Sequence, residues 1–235
     1  MSRTVEEAEP QPAVAREIFG ERIGLAQQYV DILSDEGVLR GLIGPSEPAR
    51  LWSRHVLNSA VVGEEIGEGL RVIDIGSGAG FPGIPLAIAR PDLEVVLVEP
   101  LLRRTTFLDE VVEALGLDNV TVVRGRAEER PTLEAVGTAD VVTSRAVAPL
   151  DRLARWSAPL IAVGGHLVAL KGRTAAEEIS THAAAAGMVG LTDLTTREVG
   201  AQLDEPTTVL LGTRIETADD RRAARRAARQ QKRKN

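Results

Sequence analysis

The chain has 235 residues, 43% of them hydrophobic, a formal net charge of -6 and no cysteine. That length suits one domain of ordinary size with a short extension and leaves room for a substantial core. The composition excludes a disulfide framework, a thiolate metal site and a thiol nucleophile, and no apolar run is long enough to span a bilayer as a helix.

The charge is unevenly spread. The segment from Arg221 onward holds eight of the 28 Lys/Arg and none of the 34 Asp/Glu, so residues 1–220 carry -14. A body this acidic is unlike a general nucleic-acid binder, and a polyanion would have to meet a local basic patch or the tail. The start, Met1-Ser2-Arg3-Thr4-Val5-Glu6-Glu7, lacks the charged-then-apolar pattern of a signal peptide, so a cytoplasmic location is expected.

In chain order, residues 1–12 are acidic and contain prolines, and are expected to be disordered. From Val14 to Leu33, apolar residues at Ile18, Phe19, Ile23, Ala26, Tyr29, Val30 and Leu33 recur at helical spacing. A loop over 41–48 follows. Pro48 then opens a second helix reaching about Ile66, with Leu51, Trp52, Val56, Leu57, Val61 and Val62 on its buried side. Both helices precede the first strand. Residues 13–66 therefore read as an N-terminal helical cap, 67–215 as an α/β core and 216–235 as a basic tail.

Beyond the cap, strands and helices alternate. The apolar β-branched run Val72-Ile73-Asp74-Ile75 is a strand, followed by a glycine-rich turn and a helix carrying Ile84, Leu86 and Ile88. Strand 94–99 leads to helix 101–115, ended by Gly116. Strand 120–123, a short helix near 127–136, strand 140–144, helix 150–160, strand 165–170 and helix 175–186 continue the pattern. Such alternation predicts a parallel sheet covered on both faces. The runs 191–199 and 207–214 have no helix between them. They read as a hairpin, giving a seven-stranded, mostly parallel sheet with one antiparallel strand.

The most informative stretch is Asp74-Ile75-Gly76-Ser77-Gly78-Ala79-Gly80-Phe81-Pro82-Gly83. Gly76, Gly78 and Gly80 permit a sharp turn and close approach of a ligand. A dinucleotide fingerprint would place its third glycine where Phe81 stands. A pyrophosphate would also disfavour a carboxylate such as Asp74 beside it, whereas a ligand with a cationic sulfonium tolerates one. Glu99, at the end of the next strand, can accept both hydroxyls of a ribose. The frame from Asp74 to Glu99 resembles the S-adenosylmethionine (SAM) site of Rossmann-like methyltransferases.

Further segments stand out: Arg54-His55-Val56-Leu57-Asn58-Ser59, Arg103-Arg104 ahead of Phe107-Leu108, Arg126-Ala127-Glu128-Glu129, Ser144-Arg145-Ala146 and Leu170-Lys171-Gly172. With the glycine stretch, and over roughly residues 14–214, they resemble the ribosomal RNA small subunit methyltransferase G family, also called glucose-inhibited division protein B. The resemblance implies a Rossmann-like class I SAM-dependent methyltransferase fold. It implies methylation of ring nitrogen 7 of one guanine in a decoding-region loop of 16S rRNA, with 16S rRNA or the small ribosomal subunit as partner. It carries SAM contacts to Gly76, Phe81, Ala127, Glu128 and Arg145, which join Asp74, Gly78, Gly80 and Glu99 as cofactor candidates. Arg54, His55, Arg103, Arg104 and Lys171 are the substrate-side candidates, and Arg145 is the catalytic one. A monomer without metal or membrane attachment is expected. Two departures fall on the cap: Asn58 replaces an aspartate common in the family, and the usual Asn-Leu-Thr segment is missing between the helices.

Residue chemistry agrees by elimination. Methylating carbon 5 of a pyrimidine needs a cysteine nucleophile, and there is none. Exocyclic amine methylation usually uses an Asp/Asn-Pro-Pro-aromatic motif where this chain has Ser144-Arg145-Ala146-Val147-Ala148-Pro149. Guanine nitrogen 7 needs neither, because its lone pair is already free. Arg145 can pair with Asp74 or Glu128 as well as serve a ligand, and His55 reads as a hydrogen-bonded structural histidine. Two other readings stay open at the level of residues: a SAM enzyme for a small molecule, and a noncatalytic RNA-binding assembly protein.

Overall fold

A computed structural model describes residues 8–145, 147–222 and 225. Residues 1–7, Ala146 and most of the basic tail, including Arg226, Arg229, Lys232, Arg233 and Lys234, lie outside the described residues. The core is a seven-stranded sheet of β1 (Arg71–Ile75), β2 (Glu94–Glu99), β3 (Val120–Arg124), β4 (Ala139–Arg145), β5 (Ile161–Leu170), β6 (Leu191–Val199) and β7 (Thr207–Arg214) in the order β3-β2-β1-β4-β5-β7-β6. β7 runs antiparallel to both neighbours, and the pairs from β3 to β5 are parallel. The strand order reverses between β1 and β4. In open α/β sheets ligands bind at the carboxyl ends of strands beside such a reversal.

The central strands are buried on both sides, and Val72, Ile73, Val95, Leu97, Val142 and Leu167 have no exposed surface or almost none. This explains why they read as unbroken apolar runs rather than alternating ones. One face is covered by α4 (Gly83–Ala89), α5 (Leu102–Leu115) and the N-terminal helices; the other by α6 (Arg130–Val136), α7 (Leu150–Ser157) and α8 (Ala175–Met188). The N-terminal helices share one apolar cluster with α4 and α5: Phe19, Tyr29, Leu33, Trp52 and Val56 pack with Ile84, Leu86 and Phe107.

Several boundaries differ from the expected ones for physical reasons. The predicted helix over 14–33 divides into α1 (Val14–Phe19), a 3-10 turn at Gly20–Arg22 and α2 (Ile23–Ile32), because Gly20 leaves the helical region with φ 52° and ψ -130°. The second predicted helix is a 3-10 turn at Pro48–Arg50, a wide π turn at Leu51–Val56, α3 (Leu57–Ala60) and a 3-10 turn at Val61–Glu65. β5 starts four residues before the expected Gly165, across Gly164 at φ 89° and a register shift in its pairing with β4. α6 starts at Arg130 rather than 127, since Arg126–Glu129 closes a turn first, Glu129 N–H donating to Arg126 C=O. Residues 8–12, without helix or strand, run along the cap. The Glu9 amide donates to Pro48 C=O at 2.9 Å, and its carboxylate accepts from Ser53 N–H at 3.0 Å.

Candidate active site between two cavities

The glycine loop joins β1 to α4 at the reversal point. Its backbone needs positive φ at Gly76, Gly78 and Gly80 (70°, 61° and 111°), a region that side chains with a Cβ rarely enter. The three glycines meet different surroundings. A Cβ at Gly76 would lie 2.9 Å from Val147, and one at Gly80 would lie 2.7 Å from Tyr29 Oη and from Ile84. Gly80 thus lets the loop close onto the cap, where Tyr29 O–H donates to Ala79 C=O at 2.8 Å. Around Gly78 a Cβ would meet only the Gly76 carbonyl, at 3.8 Å.

A cavity of about 510 Å³ opens beside the loop. Its walls include Gly76 from the loop, Glu99 from β2, Ala127 and Glu128 after β3, and Arg145 from β4, as well as Ile75, Val98 and Trp156. The structure therefore gathers five of the cofactor candidates around one space. Glu99 is 1% exposed. Its Oε2 accepts from Gly78 N–H and its Oε1 from Leu101 N–H, both at 3.0 Å, and Arg104 Nη1 stands 3.5 Å away. Gly78 thus serves the cavity through Glu99. Asp74, Gly80 and Phe81 lie behind it. Asp74 is fully buried; its Oδ2 accepts from Gly83 N–H at 3.1 Å, while its Oδ1 has no partner among the described residues. Burial pushes its carboxyl up to about 7, against the opposing pull of hydrogen bonds and of Arg145.

A second cavity, about 770 Å³, lies on the other side of Arg145 and Val147, which border both. Arg54, His55 and Asn58 from the cap wall it, with Lys171 after β5 and Glu178 from α8. Lys171 is held internally: its ammonium donates to Glu178 and to Ala148 C=O, each at 2.8 Å, and it is 8% exposed. Arg104 borders the first cavity rather than the second, and Arg103 is exposed on α5 and borders neither.

Arg145, which borders both cavities, belongs to a stack. The Arg145 guanidinium lies over the Phe81 ring, 4.5 Å from its centroid, a cation–π contact. His55 stacks against the same ring with centroids 5.2 Å apart, and Tyr29 meets it edge-on at 5.8 Å. Arg145 Nη2 is 2.5 Å from His55 Nδ1, and His55 Nε2 is bonded to Glu47. Arg145 thus pairs with neither Asp74 nor Glu128. Burial, then the Arg145 charge, push the His55 imidazole down to about 4, against the pull of Glu47. Burial also lowers the Arg145 guanidinium and raises the Tyr29 phenol. Tyr29, Glu47, Val147 and Trp156 escaped the sequence reading. Tyr29 reads as one more residue on an apolar helix face, Glu47 as a loop acid, and Trp156 reaches the cavity only through the docking of α7. Among the described residues no group of three His, Cys, Asp or Glu is placed to hold a metal ion, and no helix is long and apolar enough to cross a membrane.

Comparison with known proteins bears on the family and the fold. The family model described as "GidB: rRNA small subunit methyltransferase G" matches residues 22–208. Proteins named "Ribosomal RNA small subunit methyltransferase G" from Mycolicibacterium gilvum and Rhodococcus jostii are 52% and 57% identical, covering 92% and 89% of this chain and 95% and 92% of theirs. Among solved structures, that of M. jannaschii TYW2 in complex with AdoMet superposes with a TM-score of 0.52 at 19% identity, over 70% of this chain and 78% of that one. At that identity the likeness speaks for the fold, which is the Rossmann-like class I methyltransferase fold. The family match over most of the chain, with relatives above half identical over nearly their whole length, shows that the chain belongs to the rRNA small subunit methyltransferase G family.

Proposed function

We propose that the chain transfers the methyl group of SAM to ring nitrogen 7 of a guanine in 16S rRNA, in the decoding-region loop of the small ribosomal subunit. The observation that carries this reading is Arg145, whose guanidinium borders both the cavity of the glycine loop and Glu99 and the cavity opened by Arg54 and Lys171. The names of the relatives support the rRNA substrate.

The first cavity fits SAM. Its volume lies in the range of small-molecule sites. Each Glu99 oxygen accepts only one backbone N–H, so lone pairs remain for ribose hydroxyls. Ile75, Val98, Ala127 and Trp156 offer an apolar wall to a purine ring. Bound SAM supplies a methyl group made electrophilic by its sulfonium.

The second cavity receives the base. Arg145 is a planar donor, and the edge of guanine at nitrogen 7 and oxygen 6 presents acceptors. Nitrogen 7 must stay open, so Arg145 serves as a guide and a fixed charge beside the reacting edge. No general base is needed. His55 is neutral near pH 7 and both its ring nitrogens are engaged. The chain works by holding acceptor and donor in line, which removes orientational entropy from the barrier. In this reading residues 13–66 cap the substrate cavity, 67–215 hold the cofactor, and the tail over 216–235 is an arm for RNA phosphates.

The test is methyl transfer from tritiated SAM into small subunits from cells lacking the gene, followed by mass mapping of the modified nucleotide. One new N7-methylguanine in 16S rRNA is expected, with SAM binding followed by quenching of Trp156 fluorescence. Labelling of another ring position, or of a small molecule with none in rRNA, would overturn the assignment.

A further inference from the structure

Glu47 lies in the loop before the π turn, eight residues from His55 and far in sequence from the glycine loop. Its two carboxylate oxygens are divided: Oε1 accepts from Arg50 Nη2 at 2.6 Å, and Oε2 meets His55 Nε2. The imidazole of His55 is therefore held between a carboxylate on one nitrogen and a guanidinium on the other.

That arrangement admits one form of the ring. A carboxylate only accepts and a guanidinium only donates. The nitrogen facing Glu47 must carry the proton, and the nitrogen facing Arg145 must present its lone pair. The other neutral tautomer would set two acceptors against each other at Glu47 and two donors at Arg145. The imidazolium would keep the Glu47 bond and place an N–H against Arg145. The His55 side chain is 10% exposed, so water cannot repair a mismatch cheaply. Charged and titratable groups face this unit from every side: Glu47, Arg50 and Arg54 from the cap, Tyr29 from α2, and Asp74 and Arg145 from the sheet.

We propose that Glu47 is a positioning residue for methyl transfer: it fixes His55 as the Nε2–H tautomer, and the free Nδ1 lone pair then holds the Arg145 guanidinium over Phe81, where it borders both cavities. The inference rests on the reading of Arg145 as the guide for the substrate base. It gives the cap a part in the chemistry that needs no contact between Glu47 and substrate. The relay runs from a cap loop through one imidazole to the carboxyl end of β4. A displacement of the order of 1 Å at such a site is enough to lower a rate about 100-fold.

The test uses the full-length protein, with Glu47→Gln, Glu47→Asp, His55→Gln and the parent. Two measurements run in parallel: steady-state methyl transfer into unmodified small subunits, and nitrogen-15 imidazole spectra, which distinguish the two tautomers among three histidines, His55 being assigned by its loss in His55→Gln. Glutamine can donate or accept at Nε2, so in Glu47→Gln only Arg145 still selects a form, and the Nδ1–H ring is no longer excluded on the Glu47 side. We expect a mixed tautomer signal, kcat lowered about 10- to 100-fold, SAM affinity within about twofold and an unchanged unfolding midpoint. Glu47→Asp restores the acid at shorter reach and should recover the Nε2–H form and part of kcat. Parent-like kcat in Glu47→Gln overturns the proposal, as does a loss of SAM affinity and stability that matches the loss of rate, which is what a merely structural residue would give. If the parent itself labels no rRNA, the functional reading fails. The spectra then still decide the relay: a single Nε2–H form in the parent that Glu47→Gln abolishes upholds it, and any other pattern overturns it.

Discussion

Arg145 borders both cavities and rests on Phe81, so its removal is expected to act on turnover more than on folding. Arg145→Ala should lower kcat about 100-fold, the usual effect of deleting one preorganised donor, with cooperative unfolding retained. Arg145→Lys should recover only part, because an ammonium cannot reproduce the planar fork over an aromatic ring. Radiolabel incorporation into small subunits measures both, and full activity in Arg145→Ala would remove it from the site. His55 and Asp74, each linked to Arg145, make a prediction about pH. His55 falls from 6.5 to about 4 on folding, so between these values the unfolded chain holds the extra proton and stability rises with pH. Asp74 rises from 3.8 to about 7, so over that window the folded chain holds the extra proton and stability falls as pH rises. The two slopes, each at most about 1.4 kcal/mol per pH unit, oppose one another. Urea unfolding at several pH values should separate them. The stability of the parent relative to His55→Gln should climb from about pH 4 to 6.5, and relative to Asp74→Asn it should decline from about pH 4 to 7. Parallel curves for parent and variants would refute the assignment.

Among the elements, α2 has the least expected part. Its Tyr29 hydroxyl reaches into the glycine loop at Ala79, and the missing Cβ of Gly80 makes room for it. Tyr29→Phe keeps the ring against Phe81 but leaves a buried carbonyl without its donor. A cost of about 1–2 kcal/mol is expected, read from urea unfolding, together with weaker SAM binding because the loop that presents Gly76 and Gly78 loses its anchor. Unchanged affinity would show that the loop is held by the sheet alone. The elements themselves were largely legible in the sequence. The hairpin bounds 191–199 and 207–214 agree with β6 and β7, since alternating runs flanked by Gly190, Gly200 and Pro206 mark themselves. The irregular helical path over residues 48–65 was not legible. Apolar spacing reports which side is buried and is nearly the same for α, π and 3-10 turns over so few residues.

At the scale of the molecule, an acidic body meets a polyanionic substrate. The described part of the tail is tied back: Arg214, 7% exposed, donates to Asp220 at 2.7 Å, and Asp220 also accepts from Thr217 N–H. Truncation after Asp220 keeps this clasp and removes all eight terminal bases. If the tail binds phosphates, the logarithm of RNA affinity should then fall less steeply with the logarithm of salt, by about 0.7–0.9 for each phosphate the tail would have neutralised. SAM affinity should not change. An unaltered salt slope would assign the tail to solvent.

The sequence by itself determined the sheet and the glycine-loop side of the candidate site. Buried strands write themselves as apolar runs, and a loop with three positive-φ positions in five residues is written most readily with glycine, so β1, the loop and Glu99 are local facts that need no tertiary knowledge. The stack at Arg145 was decided by tertiary structure alone. Tyr29, Glu47, His55, Phe81 and Arg145 come from five separate segments and share no spacing. What unites them is the docking of the cap on the sheet, which removes water from around a guanidinium and obliges each polar atom beside it to find a partner in the chain.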